Sequence, residues 1–155
     1  MLDDRHSTSV VVRFSPAWEK IEPLRQYVVA TAGGAGEKVA GRVGIVLQEL
    51  LENAVKYGDA VGHIEVDVSI SSVRKQAEVR VANRAQMSRI ALLKKEYEAI
   101  GGSAETANAA FARALQRLQR LPQGSTMLGL ARIATESELT LQINGDQVIM
   151  IARIS

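Results

Sequence analysis

Gln48-Glu49-Leu50-Leu51-Glu52-Asn53-Ala54-Val55-Lys56-Tyr57-Gly58 is the stretch around which the chain is organised. Val43, Val46, Leu47, Leu50, Leu51 and Ala54 recur at helical spacing. At about 100° per residue they form one apolar stripe, which predicts a helix from about Glu37 to Tyr57. Gly58 is a natural stop, because glycine readily takes the left-handed cap conformation. Glu49, Asn53 and Lys56 fall on a flank beside the stripe, each three or four residues from the last, so their heads can meet. Glu52 and Gln48 point away toward solvent. The chemistry of the trio is specific: a carboxylate takes a proton, an amide oxygen ligates a hard cation, and an ammonium meets a phosphate. An amphipathic helix with a solvated Glu and Asn would carry the same residues, so the stretch alone leaves both readings open.

The remaining composition narrows the class. A length of 155 residues predicts one domain, 1–155, with a single core. Hydrophobic residues make up 46% and charged residues 23%, a globular balance. The formal net charge of +2 gives no case for nucleic acid or for an anionic membrane. Cysteine is absent, which excludes disulfides, thiol catalysis and cysteine–metal sites. With neither a signal-peptide pattern nor a long apolar run, the expectation is a cytoplasmic protein without a membrane span.

Outward from the helix, the chain alternates between strand and helix signals. Ser9 to Phe14 is rich in β-branched residues and predicts a first strand. Ser15-Pro16 then opens a helix through Trp18, Ile21, Leu24, Tyr27 and Val28, with Pro23 expected to bend or break it. Trp18 is expected to pack in the core or at an interface. Thr31 to Gly36 reads as a flexible connection. Ile64 to Ile70 and Ala77 to Ala82 alternate cleanly and predict an antiparallel hairpin. Met87 to Leu121 is helical with a break at Gly101-Gly102, and Ser103 caps its second part. That part carries Arg113, Arg117 and Arg120 as a basic row, the usual form of a solvated face. Leu139 to Ile143 and Val148 to Ile154 form a closing hairpin around Asn144-Gly145. Alternating strands and one-sided helix stripes together predict an α/β (α+β) two-layer sandwich: a mixed, largely antiparallel sheet with its helices on one face.

The stretch from Glu49 to Tyr57 resembles the N-box of the GHKL ATPases, the Bergerat-fold superfamily of gyrase-type ATPases, sensor histidine kinases and anti-sigma serine kinases. The resemblance implies that Asn53 binds the magnesium bridging the nucleotide phosphates and that Glu49 is the general base. Gly124-Ser125-Thr126-Met127-Leu128-Gly129-Leu130-Ala131 is similar to the second glycine box of the same family. There, glycine lets backbone N–H groups approach phosphate and a helix N-terminus favours negative charge. In this chain Thr126 replaces the middle glycine. The first glycine box departs further. Asn83 stands where the family has the Asp that accepts the adenine amino group, and Ala85 and Met87 replace two glycines. An amide oxygen still accepts such a hydrogen bond, though without the charge, and loss of the glycines restricts the loop.

The order of motifs and elements covers nearly the whole chain and is similar to the stand-alone anti-sigma and SiaB-type serine kinases. That likeness implies a Bergerat ATP-binding fold with ATP and Mg2+ as cofactors. Glu49 would be catalytic, Asn53 the metal ligand, and Lys56, Asn83, Gly124, Ser125, Thr126 and Gly129 nucleotide-binding. It also implies a signalling kinase that phosphorylates a serine or threonine on a small antagonist protein, STAS-like or similar. A homodimer through the first strand and the Trp18 helix is expected on the same ground. Two alternatives stay open: a pseudokinase or adaptor that binds its partner without catalysis, and an interaction module that takes no nucleotide.

Overall fold

In the computed structural model, the described residues are 7–59, 62–100, 109, 112 and 127–155. Five strands form one sheet: β1 (Ser7–Phe14), β2 (Ile64–Ser71), β3 (Gln76–Arg84), β4 (Glu138–Asn144) and β5 (Gln147–Ile154). The spatial order is β1-β2-β3-β5-β4. Every described pairing is antiparallel, so the expected mixed sheet is an antiparallel one. Among the described residues four helices of more than a turn accompany it: α1 (Ile21–Ala32), α2 (Glu37–Tyr57), α3 (Met87–Ile100) and α4 (Met127–Glu136). The result is the expected two-layer α+β sandwich.

The core follows from the sequence pattern. The alternating residues Ile64, Val66, Val68 and Ile70 of β2 are buried, as are Val79 and Val81 of β3 and Met150 and Ala152 of β5. Against them α2 buries Val43, Val46, Leu47, Leu50, Leu51 and Ala54, the stripe read from its periodicity. Complete burial of such side chains contributes about 1.5–3 kcal/mol each, which makes α2 the principal helical anchor of the core. The other face of the sheet carries charges in cross-strand pairs. Arg13 lies opposite Glu65, with Nε 3.6 Å from the carboxylate. Arg153 lies opposite Glu78 at 3.3 Å. Such pairs favour one register over its one-residue slips.

Several local expectations are corrected. The helix read from Ser15-Pro16 begins later. Ala17 is extended, Trp18–Lys20 is a short 3-10 turn, and neither helix start has a side-chain cap. Because α1 starts at Ile21, Pro23 lies in its first turn, where its missing N–H has no intrahelical partner to lose, and the helix runs on unbroken. Trp18 is 55% exposed and does not belong to the core of the chain. The small-residue connection contains a 3-10 turn, Gly33–Ala35, and its one positive φ falls at Gly36, at 102°. Gly58 does end α2, but at φ −74°, not in a left-handed cap. Its glycine is needed because a Cβ there would collide with the Ala54 carbonyl. The closing turn is shifted by one residue. Asn144 pairs with Gln147, so the two loop residues are Gly145 and Asp146, with Gly145 at φ 62° in the first position.

Candidate functional site

Two of the trio on α2, Glu49 and Asn53, meet the glycine of α4. A Cβ placed on Gly129 would stand 3.0 Å from Glu49 Oε2 and 3.7 and 3.8 Å from the two ends of the Asn53 amide. Residues 80 apart in the chain therefore share one small space, and glycine keeps it open. Gly129 is the described glycine of the stretch from Gly124 to Ala131. Gly124, Ser125 and Thr126 lie outside the described residues.

Glu49 is largely shielded, with its side chain 18% exposed, and Oε1 accepts a hydrogen bond from Arg132 Nη1 at 3.2 Å. Burial pushes its carboxyl above the ordinary range, and the neighbouring Glu52 adds to that. The Arg132 guanidinium opposes both by its charge and its hydrogen bond. Glu52 itself accepts a hydrogen bond from Gln48 Nε2 at 3.0 Å, away from the shared space. A partly buried carboxylate with a raised pKa is the form a general base takes.

Asn53 provides the second group. Its Nδ2 is buried and finds no hydrogen-bond partner among the described residues. A buried amide left unsatisfied costs about 1–3 kcal/mol, and such a group commonly marks a missing ligand, ion or water. Its nitrogen and oxygen are interchangeable by a flip, so the oxygen can equally face Gly129. Among the described residues no three His, Cys, Asp or Glu side chains gather as a metal site. Magnesium needs no such cage, since it keeps several waters and takes one or two protein oxygens plus phosphate. The orphaned amide beside a glycine-sized gap fits that kind of ion.

Beyond Asn53, residues of α2, β3, α3 and β5 line a largely apolar, partly open cavity of about 40 Å³. Asn53 and Asn83 are its amide-bearing walls, while Leu50, Val81, Val148 and Met150 supply apolar surface. Asn83 of β3 and Asn53 of α2 thus line one cavity. Its geometry is tighter than the sequence implied. Asn83 is inside β3, paired with Val148, not in a loop after the strand. Its Nδ2 donates to the Arg84 carbonyl at 3.2 Å, which leaves the side-chain oxygen as the acceptor. Ala85, where the family has glycine, bridges to Gly58 and donates its N–H to the Asp146 carbonyl at 2.9 Å. At about 10–15 Å³ per water the cavity has room for about three waters, well short of a typical ligand pocket.

Lys56 is exposed. Its Nζ is 5.1 Å from the centre of the Tyr57 ring, and the Arg89 guanidinium is 4.8 Å from the same ring. Arg89 and Arg132 are the site residues that the motif reading missed. Arg132 had a signal, since it follows Gly129 by three residues on a helix and must share its face. Arg89 had none, because only the fold brings α3 to Tyr57.

No protein-family model and no curated protein matches the sequence. Among solved structures, the fold is similar to a chain in the crystal structure of the SiaB–SiaC complex from Pseudomonas aeruginosa. The TM-score is 0.66 at 19% identity, over 94% of this chain and 88% of that one. That likeness establishes a shared fold across nearly the whole chain. No helix among the described residues is long and apolar enough to cross a membrane.

Proposed function

We propose that this chain is a small ATP-dependent serine/threonine protein kinase of the partner-switching type. It would act as a homodimer on a small antagonist protein. The observation that carries the reading is the convergence at Gly129: this residue, Glu49 and Asn53, read separately from sequence, border one space. The similarity to a chain of the SiaB–SiaC complex supports a protein partner.

In this reading Asn53 holds magnesium through its amide oxygen, and Glu49 Oε2 takes the proton from the incoming hydroxyl. The backbone from Gly124 to Gly129 and the ammonium of Lys56 steady the phosphates. The Asn83 oxygen accepts from the adenine amino group. When bound, ATP with Mg2+ would supply the γ-phosphoryl group to the hydroxyl oxygen, with ADP as the leaving group. Phosphoryl transfer asks mainly for positioning and charge stabilisation from the protein, which suits so sparse a set of groups.

The test is calorimetry with ATP, with and without magnesium. Wild type should bind only with the metal, and Asn53→Ala should abolish that binding, because a metal with few protein ligands cannot spare one. Asn83→Ala should weaken it by about 1 kcal/mol, one neutral hydrogen bond. A second reading, an adaptor that binds its partner without nucleotide, is favoured by the pinned Ala85 segment and the 40 Å³ cavity beside Asn83. Absence of nucleotide binding by wild type at millimolar ATP would establish that reading instead.

A further inference from the structure

We propose that Arg132 is a positioning residue for Glu49: it holds one carboxylate oxygen so that the other faces the space between Gly129 and Asn53. The two oxygens have separate surroundings. Oε1 is 3.2 Å from Arg132 Nη1. Oε2 is the atom 3.0 Å from where a Gly129 Cβ would stand, on the side of the Asn53 amide. The terminal torsion of a Glu side chain is broad, so a carboxylate fixed only through its own chain turns readily. One charged donor at one oxygen removes that freedom and points the remaining lone pairs into the gap.

The placement fits the task. Arg132 follows Gly129 on the same helix, so the residue that opens the space and the residue that aims the carboxylate move as one body. Its side chain is 50% exposed, against 18% for Glu49, and its contact is with Oε1, which leaves Oε2 to the gap. The charged groups described around Glu49 are Arg132 from α4 and Glu52 from α2, and Gln48 ties the latter. Arg132 is the cation that offsets burial there and favours the ionised, proton-accepting form at neutral pH.

The catalytic part of this inference rests on the kinase reading, while the pairing does not, and the experiment separates the two. Arg132→Lys and Arg132→Gln are made in the full chain, and the Glu49 carboxyl carbon is titrated by NMR, assigned by its loss in Glu49→Gln. Arg132→Gln should raise the pH at which Glu49 titrates, and Arg132→Lys should leave it near wild type. Phosphotransfer should fall roughly tenfold in Arg132→Gln and be largely kept in Arg132→Lys, because a carboxylate without its charged donor no longer holds its second oxygen in the gap. An unchanged Glu49 titration in Arg132→Gln overturns the pairing, and an unchanged rate in Arg132→Gln, or a loss that Arg132→Lys shares in full, overturns the positioning role. If wild type fails to bind ATP with magnesium, the kinase reading falls, and the titration alone still decides whether Arg132 governs Glu49.

Discussion

Gly129→Ala separates a glycine kept for packing from one kept for a ligand. Gly129 lies inside α4, where alanine is favoured over glycine by about 1 kcal/mol. Against that gain stands one close approach, the new methyl at 3.0 Å from Glu49 Oε2; its distances to the Asn53 amide, 3.7 and 3.8 Å, are ordinary contacts. A carboxylate end relieves the approach by moving a few tenths of an ångström, at a cost of about 0.5–1 kcal/mol for a displaced torsion. The net effect is a stability between unchanged and about 0.5 kcal/mol higher, or at most about 2 °C in Tm for a chain of this length. The same methyl fills the space between the two groups proposed to hold the proton and the metal. Magnesium binds oxygen at about 2.0–2.1 Å in a strict octahedron and cannot share that space. Affinity for ATP with magnesium should therefore fall at least about 100-fold, roughly 2.7 kcal/mol. Thermal melts and calorimetry on one preparation read both quantities. A variant destabilised by more than about 1 kcal/mol would show that the glycine serves helix packing. A variant of wild-type stability and wild-type affinity would remove Gly129 from the site.

Glu49→Gln tests the raised carboxyl through stability. The folded protein holds the Glu49 proton more tightly than the unfolded chain, so this group contributes most below the ordinary value of 4.5 and loses that contribution as pH rises through the raised value. Gln mimics the protonated form, so urea melts at about pH 4 and pH 7 should show the variant gaining on wild type at the higher pH; the opposite trend refutes the shift. Two further glycines of α2 should respond with opposite signs. Gly41 has open space around it and its change to Ala should stabilise by about 1 kcal/mol. A Cβ on Gly44 would stand 2.9 Å from Val29 Cγ2, a stiff branched side chain of α1, so Gly44→Ala should destabilise by about 1 kcal/mol after the helix gain is subtracted. Equal melts for the two variants would refute the close packing of α1 on α2. The proposed dimer uses the edge strand β1, where Val11 is 73% exposed. Sedimentation at micromolar concentration should give a dimer for wild type and a monomer for Val11→Lys, and a monomeric wild type would exclude it.

The sequence was most legible where one face of an element is buried. The α2 stripe fixes its own register, since shifting it would bring Glu49 or Asn53 toward the core in place of Leu50. The alternation of β2 and β3 left little doubt about which residues face inward, and the bounds from Glu37 to Tyr57 were met at both ends. The pairing of Glu49 and Asn53 on one flank followed from helical geometry, but their meeting with Gly129 depended on a resemblance, because no local pattern places α4 against α2. Local conformations were read less well. Gly58 stops the helix through the clearance its missing Cβ leaves, which depends on the path of the chain after Tyr57. Asn83 lies in a strand because β5 pairs with β3 past Ala82, and that partner arrives from far along the sequence. Lys56 was grouped by spacing with Glu49 and Asn53, and the pattern gave no sign that its ammonium lies 5.1 Å from the centre of the Tyr57 ring.

The position of β5 between β3 and β4 bears on how the protein is made. Arg84 pairs with Gln147 and Ala77 with Ile154, so β3 emerges from the ribosome well before the strand that completes it. Elongation runs at about 5–20 residues per second, which leaves the inner edge of the β2–β3 hairpin open for several seconds. The β2–β3 and β4–β5 hairpins close over short turns, whereas joining them closes a long loop at an entropic cost that must be met before the contacts form. During that interval a row of unpaired backbone groups beside Val79 and Val81 is available to any other extended chain. Docking of the second hairpin ends that exposure and gives Asn83 the β5 neighbour it needs to take its place beside Asn53.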